Sequence, residues 1–205
     1  ADDVRGVEAD SFFIQQSWDP RRRCKISPDN QTFTSTYYHP GFFNARLIAD
    51  TTVLTTHPVH VTTDGWLALV EKDPVPIYLK DASEQNPGYL SVSSSWLREQ
   101  GIDTSNEYQV VSFYNVRAFD SLHTDQFSLE AILRQDMDDG RYPCKRARIV
   151  IDAEQGALII PLSIPGCVGD MGVMLGDVFL DGRTNDLSAF GTDLSAWQRL
   201  KIDVK

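Results

Sequence analysis

Apolar and polar positions along this chain alternate far more often than they recur every third or fourth residue. In "FFNARLIAD" the residues Phe43, Ala45 and Leu47 share one face, with Asn44 and Arg46 on the other. "FSLEAILR" groups Phe127, Leu129, Ala131 and Leu133 opposite Ser128, Glu130 and Arg134. "RARIVID" turns Ala147, Ile149 and Ile151 inward, and "RLKIDVK" sets Leu200, Ile202 and Val204 against Lys201, Asp203 and Lys205. Each run is the signature of a half-buried strand, and turn clusters such as "DMDDG" and "LDGRTND" separate them. One helix is predicted, over "SSSWLREQGI" (93–102), with a serine cap, Trp96 and Leu97 turned inward, and Gly101 as the stop. Many strands, short connections and almost no helix predict an all-β fold of sandwiches.

"TSTYYHPGFFNARLIAD" (34–50) crowds four aromatic rings around a Pro-Gly pair. A chain reversal is expected there, with Gly41 in a backbone region other residues avoid, and Tyr37, Tyr38, Phe42 and Phe43 covering both faces of the hairpin. A boundary is expected within 62–76, where Asp64-Gly65 ends one run and Pro74 and Pro76 stiffen the next segment. Two domains follow, 1–66 and 67–205.

At 205 residues the chain suits one large or two small domains. Its net charge is −10, and the excess sits mainly after Trp66, where 13 basic face 21 acidic residues. A surface this acidic repels phosphate backbones and anionic lipid, so nucleic-acid partners are not expected. The run Arg21-Arg22-Arg23 is the local exception, read as a solvated loop. No stretch of about 18 apolar residues occurs, so no membrane insertion is expected within this sequence. The start at Ala1-Asp2-Asp3 lacks Met, and any export signal is expected to have been removed. Of three cysteines, Cys144 and Cys167 are the favoured pair for a disulfide, with buried free thiols as the alternative.

"TYYHPGFFNARLIADTTVLTTHPVHVTT" resembles the C-terminal half of a polycystic-kidney-disease-type (PKD) repeat, with "SWDP" (17–20) where that family carries Trp-Asp before a glycine-rich turn. Here Pro20 and three arginines replace the glycines. The resemblance implies a small immunoglobulin-like sandwich outside the cytoplasm, acting as a spacer or protein-contact module. "FSLEAILRQD" (127–136) and "GTDLSAWQRLKIDVK" (191–205) resemble two strands of the laminin-G-like, concanavalin-type jelly roll. That family continues past the equivalent of Lys205 into a further hairpin, so the second domain is expected to be completed elsewhere.

Glucanases on that jelly roll place two glutamates around an aspartate on one strand. No Glu-x-Asp-x-Glu occurs here, and neither does a nucleophile elbow, a phosphate-cradling glycine loop or Cys-x-x-Cys. The expected function is therefore non-catalytic binding of a carbohydrate or a protein partner, outside the cytoplasm, by a bacterial-type cell-envelope or secreted protein. A structural or sensory ectodomain is the alternative, and a glycoside hydrolase with a non-standard acid pair a third. Sugar sites combine rings with amide, guanidinium and carboxyl groups, which singles out Tyr114, Asn115 and Arg117, with Tyr142, as ligand-binding candidates. Trp66, Tyr89 and Tyr108 qualify by residue type alone, whereas Trp96 and Trp197 are expected in the core. No resident cofactor is expected beyond calcium, which laminin-G-like domains hold at loop ends. Its candidate ligands are Asp177, Asp181 and Asp186, with Asn185 beside them and a second cluster at Asp136, Asp138 and Asp139. His57 and His60, three apart on a strand, point to opposite faces and read as surface polar residues.

Overall fold

The computed structural model describes residues 6–17, 20–27, 29, 32–80, 82, 88–105, 109–118, 126–135, 143–153 and 156–205. The chain is all-β: the described residues form four sheets built from antiparallel ladders. It divides into two compact units, Ala1–Ala118 and Phe119–Lys205.

The first unit holds two sheets. One comprises β1 (Phe12–Gln15), β2 (Arg23–Ile26), β3 (Gly41–Ala49) and β4 (Thr52–Val61), in the order β2-β1-β3-β4. The other comprises β5 (Leu67–Val70), β6 (Ile77–Leu79) and β7 (Val111–Tyr114), in the order β6-β5-β7. The division expected at 66/67 falls between these two sheets, inside the first unit.

In β3 the outward residues Phe42 and Asn44 alternate with half-buried Phe43 and Ala45. Where β1 joins the other side of β3, Leu47, Ile48 and Ala49 are all buried. Pro58 cannot donate to a ladder, and it is tolerated because β4 is an outer strand. The reversal expected at Pro40-Gly41 takes another form. Gly41, at φ +141°, opens β3, and no strand precedes it among residues 32–40. The hairpin turns instead at Asp50-Thr51, with Asp50 at φ +50°. A short polar side chain suits that left-handed corner because it bonds locally. The Asp50 carboxylate accepts from the backbone N–H (2.9 Å) and hydroxyl (2.9 Å) of Ser11, while its carbonyl accepts from Arg23. The Ser11 hydroxyl bond is the main reason this carboxyl lies below the usual aspartate range. The aromatic cluster therefore serves β3 itself: Tyr37 packs on Phe43 at 4.7 Å between centroids, and Phe42 stacks on His60 at 3.9 Å. Burial also pushes the Tyr37 phenol above its ordinary value.

The second sheet packs Ala68, Val70 and Leu79 against α1 (Ser94–Glu99), together with Ala82, Leu97 and Ile102. Ser93 caps α1 by accepting from the Trp96 N–H at 3.1 Å, and Gly101 ends it at φ +78°. Leu69, fully buried, projects from the opposite face of β5.

The second unit pairs β8 (Phe127–Leu133) with β13 (Gln198–Val204) in a two-stranded ribbon. A four-stranded sheet runs β12-β11-β10-β9, from β9 (Arg146–Ala153), β10 (Gly156–Ser163), β11 (Gly172–Leu175) and β12 (Val178–Asp181). One face of it carries Val173 and Leu180 onto Val168, Met171, Leu187 and Phe190. A disulfide joins Cys144 to Cys167 across the open end of the β9–β10 hairpin. There the Lys145 carbonyl also accepts from the Ile164 N–H and the buried Ser163 hydroxyl. Gly182 lies so close to the Val168 carbonyl that an added Cβ would come within 2.5 Å of it. Among the described residues no helix is long and apolar enough to cross a membrane.

Candidate functional sites

The ribbon of the second unit presents a polar outer face. Its register sets Ser128 opposite Asp203, Glu130 opposite Lys201 and Ile132 opposite Arg199. Strict alternation sends Leu129, Ala131, Leu200 and Ile202 to the half-buried side, so the outer positions are free for other chemistry. At the end of this face stands Trp197, 54 % exposed, with the Arg134 guanidinium 5.1 Å from its ring centroid. Ile132 beside it is 66 % exposed, and Arg199 reaches Glu130 at 2.6 Å. The expectation that Trp197 belongs to the core is overturned. One residue before β13, it continues the outward parity of Arg199 and Lys201. Trp96 does face inward, half-buried on the α1 core.

The first unit holds a second group of side chains. Tyr114, the last residue of β7, donates its phenol to Glu71 Oε1 at 3.1 Å. The other oxygen of Glu71 meets His39 Nε2 at 2.9 Å, and the His39 and Tyr114 rings lie 6.4 Å apart. His39 reaches this point because residues 38 and 39 meet the Leu69 face of β5 and β6, where the Tyr38 carbonyl accepts from Tyr78 at 2.6 Å. Glu71, one residue beyond β5, shares the face of Leu69. Arg22, His39, Glu71, Lys72, Asp73 and Pro74 line a shallow open depression of about 310 Å³.

Of the sequence-derived ligand candidates, Tyr114 joins this group through Glu71. Asn115 follows it with Oδ1 buried and without a donor among the described residues, and Arg117 is exposed. Tyr142 and Tyr108 lie outside the described residues, as do Asp136, Asp138 and Asp139. Trp66 and Tyr89 are about half exposed. The basic run splits into separate roles: Arg22 borders the depression, while Arg23 begins β2 with its guanidinium 3.9 Å over the Phe13 ring.

The calcium candidates serve their own turns. Asp177 is exposed in the β11–β12 turn. Asp181 accepts from the Arg183 N–H on its carboxylate and from the Asn185 amide on its carbonyl. Asp186 accepts from the Ser188 N–H, and the bonds from Ser188 hold its carboxyl below the usual range. Among the described residues no three His, Cys, Asp or Glu side chains converge as a metal site would require.

Sequence reasoning missed His39, Glu71 and Arg22. Glu71 lies in the stretch read as the domain boundary, and its partner is 32 residues away; no local spacing announces such a contact. Comparison with known proteins finds no match: no family model, no characterised protein and no solved structure is significantly similar to the chain.

Proposed function

We propose that this protein is a non-catalytic binding module acting outside the cytoplasm, and that its ligand is a carbohydrate engaged on the Trp197 platform. One observation carries the reading: an indole more than half exposed at the end of a two-stranded ladder, with Arg134 over its ring and the Arg199–Glu130 pair along the same face. Soluble proteins leave large rings uncovered at a cost in apolar hydration, and such surfaces concentrate where a ligand docks. A sugar ring offers an apolar face to the indole and hydroxyls to the guanidinium and carboxylate groups at its edge. The Cys144–Cys167 bridge supports an oxidising compartment. In this reading the first part of the chain is a PKD-like spacer and the second a laminin-G-like jelly roll.

Affinity electrophoresis against a panel of polysaccharides tests it, with Trp197→Ala beside the unaltered protein. Retardation by at least one polysaccharide, lost in the variant, is the expected result. Mobility unchanged across a broad panel overturns the carbohydrate assignment, and selective capture of a protein partner through the same tryptophan replaces it with a protein-contact role.

A further inference from the structure

The depression of the first unit lies apart from the Trp197 platform in the sequence, and the inference drawn from it does not depend on that platform. Its wall is unusual in how its polar groups are committed. Both carboxylate oxygens of Glu71 are already engaged, one by His39 and one by Tyr114. The side chains of Arg22 and Lys72 have no hydrogen-bond or ion-pair partner among the described residues. A guanidinium offers a planar fork of donors matched to a carboxylate, and an ammonium offers three more. Asp73, on the same wall, is an acceptor with no partner among the described residues.

We propose that this depression binds an acidic sugar, a pyranose carrying one carboxylate, with that carboxylate on Arg22 and Lys72 and a ring hydroxyl on Asp73. Three features select this class. The two cations favour an anion, and a charge-assisted pair is the strongest hydrogen bond a surface can offer. Two carboxylates on the wall, Glu71 and Asp73, repel a doubly charged phosphate, so a single negative charge fits better. Among the described lining residues Pro74 is the one apolar residue, and the C–H face of a pyranose needs no more than that ring and the aliphatic stems of Arg22 and Lys72 beside it.

The experiment is isothermal titration of the full chain with trigalacturonate, galactotriose and tri-glutamate. Trigalacturonate is expected to bind at least about ten-fold more tightly than galactotriose, with affinity falling as salt rises. Arg22→Ala and Lys72→Ala are each expected to weaken it about ten-fold, and Lys72→Arg to retain affinity within about three-fold. Both residues are at least partly exposed, and neither alanine variant removes core packing. Equal binding of the neutral sugar, unchanged affinity in both alanine variants, or tri-glutamate matching trigalacturonate each overturns the proposal.

Discussion

Replacing Cys144 and Cys167 together by alanine removes a bridge that closes a loop of about 24 residues, from a sequence separation of 23. In the chain-entropy relation a loop of about that size lowers the entropy of the unfolded chain enough to contribute about 3.4 kcal/mol at 25 °C. The bridge sits where the β9–β10 ladder ends, held also by the bonds to the Lys145 carbonyl, so native geometry accommodates it without displacing a strand. The unit it belongs to, Phe119–Lys205, has 87 residues. At about 2.1 cal/mol/K per residue its unfolding entropy is roughly 180 cal/mol/K, which converts the loss to a fall in Tm of roughly 15–20 °C. Differential scanning calorimetry of the double variant and of the reduced unaltered protein is the assay, and both should show the same shift. A fall of less than about 3 °C would refute the reasoning, because the loop would then be constrained equally in the unfolded chain.

Leu69 is fully buried, so Leu69→Ala should cost about 2–5 kcal/mol in urea unfolding, with the slope unchanged. Trp197→Ala, by contrast, should shift Tm by less than about 2 °C, since its ring is 54 % exposed. Asp50 has a carboxyl held below its ordinary value by Ser11, so its contribution to stability is complete above the unfolded carboxyl value of about 3.9 and is lost as pH falls through the lower folded value. Ser11→Ala should therefore raise the Asp50 titration midpoint in carbon-detected NMR, and an unmoved midpoint counts against the assigned cause. Millimolar calcium should raise Tm by less than about 1 °C, because Asp181 and Asp186 are engaged with their own backbone turns; a larger rise would reinstate these loops as ligands.

Alternation made most strands legible because a ladder with one covered face must place apolar residues at every second position. β8 and β13 follow their predicted faces residue by residue, and α1 was legible from Ser93, Leu97 and Gly101. The same rule explains the error at Trp197: the parity of "WQRLKIDVK" already placed it with Arg199 and Lys201, and residue type was given more weight than position. The Pro-Gly reversal failed because a turn signal needs a strand on both sides, and residues 32–40 form none. The His39–Glu71–Tyr114 group was not legible at all, since it depends on a long-range crossing that no local pattern encodes.

With Cys144 and Cys167 joined, Cys24 is the one thiol left to react, and it is exposed on β2, the outer strand of its sheet. A maleimide dye will accordingly attach at a single place under non-reducing conditions, two residues along the chain from Arg22. That makes the dye-labelled wild-type sequence, with no cysteine engineered in, an optical reporter for whatever settles beside that arginine. It also means that preparations stored in air will slowly couple in pairs through sulfur, a product to be removed before any stoichiometry is measured.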